Sequence, residues 1–382
     1  MRMDVAPKMF AWARERARLD IESLLKKFPK LSEWEQDLAK PTLKQLEGYA
    51  NKTHLPIGVF FLPEPPKEDL PIPDFRTMGS TPYRQPSPDL LETIYLCQQR
   101  QEWYRDFAKI HGYDQFGFIG SKTIGDDVAL TASDISKALQ FSFEERMQAR
   151  TWADALRLFV EQVEKHGIMV MQSGVVGSNN YRKLEPEEFR GFVLVDTLAP
   201  LIFINGNDTL SAKMFTLAHE LAHIWLGESG VSNVLMEKLP DEKTERWCNQ
   251  VAAELLVPVA DLRNVYDAHN DLPAEIKRLA HRYKVSTLVV LRRIFDMRAI
   301  TAEIFWEIWH TELERLVKIE RRSGTGGDFY RTLGVRISRR FERALVMSTL
   351  EGQTLFRDAF RMLGIKKNAT FYEIAGNFGF GK

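Results

Sequence analysis

His219-Glu220-Leu221-Ala222-His223 sets two imidazoles four residues apart with a carboxylate beside the first, a spacing that on a helix stacks both rings on one face. Both histidines can then aim a ring nitrogen at one Zn²⁺, and Glu220 stands where it can take a proton from an attacking water. The flanking residues predict the helix this needs. Asp208 and Ser211 offer caps, Thr209 to Trp225 contains no Gly or Pro, and Gly227 supplies a stop. Met214, Leu217, Leu221 and Ile224 recur at three- and four-residue steps, so the helix should be half core and half site. The pattern points to a zinc hydrolase; the plain alternative is a buried helix whose histidines only form hydrogen bonds.

Catalytic zinc sites usually hold three protein ligands and keep one position open, so a further donor is needed. Glu245 and Asn249 lie one turn apart on the next strong helix, about Glu242 to Leu256. Glu245 would bind the metal, and Asn249 would accept from the free ring N–H of a ligating histidine and fix its tautomer. Ala252 and Ala253 would let this helix approach the first closely. Glu228, Glu242 and Glu254 compete as third ligand, but Glu254 points about 180° from Glu245 by helical phase. Glu228 lies just past a helix end and Glu242 near a helix start, where acids need no special role. Cys248 is a further, softer candidate, although a Cys among apolar residues is more often simply buried. Tyr266, His269 and His281 are the downstream candidates for stabilising a tetrahedral oxyanion.

Upstream of the motif, Gly167–Val176, Gly191–Thr197 and Leu201–Asn205 are β-rich runs bounded by turn residues and predict one small sheet. A sheet in this position could pair an extended peptide along its edge strand. FTLAHELAHIWLG at 215–227 followed by ERWCNQVAAELLVP at 245–258 resembles the ImmA/IrrE family of zinc-dependent endopeptidases. The similarity runs over about residues 165–300 and includes RLAHRYKVSTLVVLRRI at 278–294. It implies zinc held by His219, His223 and Glu245, with Glu220 as general base. It also implies a role in regulated proteolysis, with a transcriptional repressor or regulator as the protein substrate.

The chain has 382 residues, 44% hydrophobic and 27% charged, which predicts a folded protein of two or three domains. Lys plus Arg equals Asp plus Glu at 52 each, so the total charge favours no class of partner. Two cysteines, no apolar leader and no uncharged run of membrane length lead us to expect a cytoplasmic protein without a membrane partner. Residues 1–62 read as short helices. Trp34-Glu35 and Lys40-Pro41-Thr42-Leu43 resemble the end of the recognition helix and the next helix start in Xre-type helix-turn-helix domains, here shortened by about four residues. Residues 1–44 carry ten basic and seven acidic side chains, weak support for DNA binding, so a docking or dimerisation role stays open.

Residues 63–90 are proline-rich and read as a linker, 91–165 as a helical connecting region, 166–300 as the zinc peptidase domain and 301–382 as a basic helical region. Between Lys318 and Lys367 there are twelve basic and five acidic residues. Arg336, Arg340 and Arg343 are expected on one helical face and, with Arg339, are candidates for nucleic-acid or partner contact if they are not merely solvated. Proteins resembling this layout are often encoded beside PIN-like toxins, so such a toxin is a candidate partner. The expected fold is α+β and mostly helical: a small N-terminal helix-turn-helix-like bundle, a zincin-like domain with a small sheet on the HExxH helix, and a helical C-terminus. The competing functional reading is a non-enzymatic DNA-binding regulator or antitoxin that keeps the zincin fold as a scaffold.

Overall fold

The computed structural model describes residues 2–75, 85–232, 243–320 and 336–380. The fold is α+β and mostly helical. Two compact units divide the chain, Met1–Pro71 with Ser80–Ile94, and Ile72–Gly79 with Tyr95–Lys382.

In the first unit, helices Pro7–Arg16, Ile21–Leu25, Leu31–Glu35 and Leu43–Lys52 and a 3₁₀ turn at Ile57–Phe61 close around buried Phe10, Phe28, Trp34, Tyr49 and Phe60. The Tyr49 hydroxyl donates to the Phe10 carbonyl at 2.8 Å, so the most polar ring of this aromatic core is satisfied. Thr42 and Gln45 form a reciprocal capping box that starts the fourth helix. Leu31–Glu35, where a shortened recognition helix was expected, is only five residues long. Its Leu31 and Trp34 are core residues, and Glu35 is paired with Arg14 at 3.1 Å. The proline-rich stretch ends sooner than expected, because Pro88 opens the helix Pro88–Ile110. Residues 76–84 of that stretch lie outside the described residues.

The second unit is built on a four-stranded sheet among the described residues, β1 (Met169–Ser173), β2 (Gly191–Leu194), β3 (Leu201–Asn205) and β4 (Gly230–Ser232), in the order β1-β3-β2-β4. β1 and β3 run parallel, whereas β2 is antiparallel to both β3 and β4. The three expected strands are present, the first two shorter than expected and the third with the expected bounds. β2 stops at Leu194 because the chain turns at Asp196, whose carboxylate accepts from the Leu198 and Ala199 amides at 2.9 Å. β4 was not anticipated, since three residues beginning with Gly show no alternation. Its outer edge is covered by the chain itself: the Phe75 amide donates to the Val231 carbonyl and the Val231 amide to the Pro73 carbonyl, each at 2.9 Å.

The helix carrying the histidines, Leu210–Leu226, packs on β2 and β3 and against helices Trp152–Lys165 and Lys243–Leu256. It departs from expectation in two ways. Thr209 is the N-cap, accepting from the Ala212 amide at 3.1 Å, while Asp208 pairs with Arg190 and Ser211 only contacts the Thr209 hydroxyl. Every residue from Lys213 to Trp225 is buried, so the helix is core on all sides rather than half site; sheet and partner helices enclose the polar face too. Gly227 ends it in the left-handed conformation at φ 77°, as a stop glycine should.

Helix Lys243–Leu256 ends on two cations. Arg293 donates to the Val257 carbonyl at 3.0 Å and pairs with Glu254, and Arg146 donates to the Leu256 carbonyl. Free carbonyls at a helix C-terminus attract such donors, and they fix the helix that carries Glu245. The C-terminal helical region contains Arg339–Leu350 and Phe356–Leu363, with Gly352 at φ 75° between them, followed by Asn368–Asn377.

Candidate metal centre

His219 and His223 project from the same face of their helix into the seam with helix Lys243–Leu256, where Glu245 faces them. The Nε2 atoms of the two histidines are 3.1 Å apart. Glu245 brings Oε1 to 2.9 Å from His223 Nε2 and Oε2 to 3.4 Å from His219 Nε2. Both histidines are fully buried and Glu245 nearly so. Ligand atoms of these three residues all lie within 4.8 Å of one another. Glu245 is therefore brought to the histidines, as the helical phase implied.

Asn249, one turn on, places its Oδ1 3.0 Å from His219 Nδ1. Accepting there holds the proton on Nδ1 and leaves Nε2 as a lone pair directed at His223 and Glu245. Two facing imidazole nitrogens and a carboxylate, all stripped of water, lack a positive charge among them. A divalent cation with a taste for nitrogen and oxygen would supply it, and two His with one Glu is a donor set suited to zinc. The residues present therefore fit a metal ion.

The electrostatics agree. Burial alone would raise the Glu245 carboxyl, but His219 and His223 hold it well below the usual carboxylate range. Burial lowers the His219 imidazole, and Glu245 outweighs that to leave it raised. His223 ends lowered, with burial the main cause. Glu220 behaves differently. Burial pushes it up to about 8, with His219 opposing, Glu245 adding and the Ser232 hydroxyl opposing. It is fully buried, and neither carboxylate oxygen has a hydrogen-bond partner among the described residues. A buried carboxyl without partners is costly to the fold.

Two glycines make room for this arrangement, and sequence reasoning missed both. A Cβ on Gly191 of β2 would lie 2.6 Å from Thr216 Cγ2, 2.9 Å from the Phe203 carbonyl and 3.1 Å from Glu220 Oε1. A Cβ on Gly230 of β4 would fall 2.1 Å from the Phe75 ring, which stacks on the His223 ring at 5.5 Å and 12°. Phe75 was also missed, because it sits in a stretch whose prolines signal a linker. A glycine needed for space has no sequence signature beyond being Gly.

The other candidate ligands are not among the clustered donors. Glu254 is taken by Arg293, Glu228 is exposed, and Glu242 lies outside the described residues. Cys248 is buried, its thiol pushed well above its ordinary value by burial, and it is not among the clustered donors. Tyr266 ends helix Val259–Val265 and packs on the core, and the His269 amide donates to Asp267. The exposed His281 ring rests edge-on against Trp152. Among the described residues no hydrogen bond or ring contact joins Tyr266, His269 or His281 to His219, His223 or Glu245.

Among the arginines, Arg339, Arg340 and Arg343 belong to helix Arg339–Leu350 and line a cavity of about 690 Å³ with Tyr104, Glu164 and Phe378. Arg336 does not share their helical face, contrary to expectation. The helix begins only after Ser338, whose φ of 66° breaks the chain direction. No helix among the described residues is long and apolar enough to cross a membrane.

Residues 163–295 match the family model of the peptidase M78 family, described as the IrrE N-terminal-like domain. Residues 337–377 match a model described as a domain of unknown function, DUF8813. No curated protein matches the chain.

Proposed function

Because the chain carries a peptidase M78 domain of the ImmA/IrrE family, we propose that it is a zinc-dependent endopeptidase acting on a protein partner in regulated proteolysis. The observation that carries this reading is the buried His219-His223-Glu245 cluster with the unpartnered carboxyl of Glu220 beside it. His219, His223 and Glu245 would hold the ion. When bound, zinc supplies Lewis acidity, polarising a peptide carbonyl and making a water acidic enough to attack it near neutral pH.

The remaining work falls to the chain. Glu220 accepts the proton of the attacking water on a carboxylate oxygen and returns it to the leaving nitrogen. Burial pushes this carboxyl up, and a cation held by the three ligands would pull it back toward the ionised form that accepts a proton. Asn249 keeps His219 in the ligating tautomer, and the enclosing helices exclude bulk water. A non-enzymatic scaffold is the weaker reading, because a buried Glu220 without hydrogen bonds destabilises the fold and a scaffold could lose it with benefit. The family resemblance supports a repressor or similar regulator as substrate.

The experiment compares full-length wild type with Glu220→Gln, both zinc-loaded, in a lysate of the source cells whose new protein N-termini are mapped. Termini produced by the wild type and absent with Glu220→Gln are expected, with zinc content equal. Identical sets of termini from the two proteins would overturn the assignment.

A further inference from the structure

β4 is three residues long and lies at the edge of the sheet beside His223. In a strand this short, alternate residues direct their main-chain groups outward, so Val231 supplies the outward amide and carbonyl. Both are taken, the amide by the Pro73 carbonyl and the carbonyl by the Phe75 amide, in a parallel bridge centred on Asp74 and Val231. The segment also carries a side chain to the metal cluster. The Phe75 ring lies flat on the His223 ring, and Gly230 leaves the space it needs. An extended peptide approaching the cluster along the sheet would require the same two groups of Val231 and would meet the same ring seat.

We propose that Pro73–Phe75 is an intrinsic occupant of the peptide-binding edge of this site, and that the site takes extended peptides bearing an aromatic residue once this strap is displaced. The proposal rests on the endopeptidase reading only in treating β4 as a peptide-binding edge. Main-chain pairing with Val231 is independent of peptide sequence, whereas the seat over His223, open because residue 230 is Gly, selects a flat ring. A strap within the same chain competes at a high effective concentration, so free peptide binds weakly until the strap loses its anchor.

The test uses the full-length zinc-loaded chain and a fluorescent hexapeptide copying residues 72–77, with binding read by anisotropy. Phe75→Ala, which removes the anchor ring and leaves the Val231 groups intact, is expected to bind the peptide about tenfold tighter than wild type. The same peptide with Ala in place of its Phe should show no such gain. Gly230→Ala fills the ring seat, so it should speed hydrogen exchange of the Val231 amide without any gain in peptide binding. In Phe75→Ala that amide should also exchange faster and become protected again when peptide is added. Equal peptide binding by wild type and Phe75→Ala, or an equal gain for the Ala-containing peptide, overturns the proposal. Because none of these readouts needs turnover, the two readings fail separately. The expected binding with no Glu220-dependent cleavage removes the peptidase and keeps the strap, and cleavage with equal binding does the reverse.

Discussion

Replacing Asn249 by Ala removes the acceptor that holds the proton on His219 Nδ1. His219 is fully buried, so the Nδ1–H then faces no water and the tautomer protonated on Nε2, which cannot ligate, becomes competitive. Leaving a buried donor unpaired costs about 1–3 kcal/mol, and at about 1.4 kcal/mol per tenfold this is a loss of about 5- to 140-fold in metal affinity. Asn249→Asp should hold the ring at least as well, because a carboxylate accepts the same proton more strongly. Competition for zinc against a chromophoric chelator measures both, with thermal unfolding of the metal-free proteins as the control for folding. The reasoning is refuted if Asn249→Ala binds zinc within about threefold of wild type while its metal-free stability is unchanged. It is also refuted if Asn249→Asp weakens binding as much as Ala does.

Glu245→Gln should cost more than either, at least about 100-fold in zinc affinity. Wild type with zinc at 1,000 times its Kd should gain about 4 kcal/mol against denaturant, and the variant should lose most of that gain. Gly191→Ala should destabilise by about 1–3 kcal/mol through its clash with Thr216. Combining it with Thr216→Ser, which deletes the clashing methyl, should recover part of the loss in urea denaturation; simple additivity would count against a steric cause. Glu164, raised to about 7 by burial, gives a pH signature. Its folded pKa lies above the unfolded value near 4.5, so its contribution is complete below pH 4.5 and is lost as pH rises through 7. That is about 3 kcal/mol by linkage, and Glu164→Gln should flatten stability over this window at fixed zinc. Glu342, raised by burial and to a lesser degree by Glu164, will keep some slope of its own.

The centre was legible because its chemistry is written in helical spacing. His219, His223, Glu245 and Asn249 occupy positions that a helix of 3.6 residues per turn must bring to common faces, and the structure places them there. The cap was misjudged because Asp208, Thr209 and Ser211 are all competent acceptors, and an ion pair with Arg190 drew Asp208 away. The burial of the whole histidine helix depends on what packs over its polar face, and periodicity says nothing about that. β4 is too short to show a pattern, while Gly191 and Gly230 act through the side chains they lack. Arg336 was joined to Arg340 and Arg343 by counting, and the left-handed Ser338 interrupts the count.

The pairing at β4 also bears on how the molecule can be divided. By contacts, Ile72–Gly79 belongs with Tyr95–Lys382, although the stretches on either side of it in the chain, Met1–Pro71 and Ser80–Ile94, belong together elsewhere. A fragment cut after the proline-rich stretch would keep every metal-binding side chain and still be incomplete. It would carry a bare sheet edge with the Val231 amide and carbonyl unpaired, which invites sticking between copies, and it would leave the His223 ring uncovered. Solubility and metal loading measured on such a piece would describe a surface that the whole chain keeps covered.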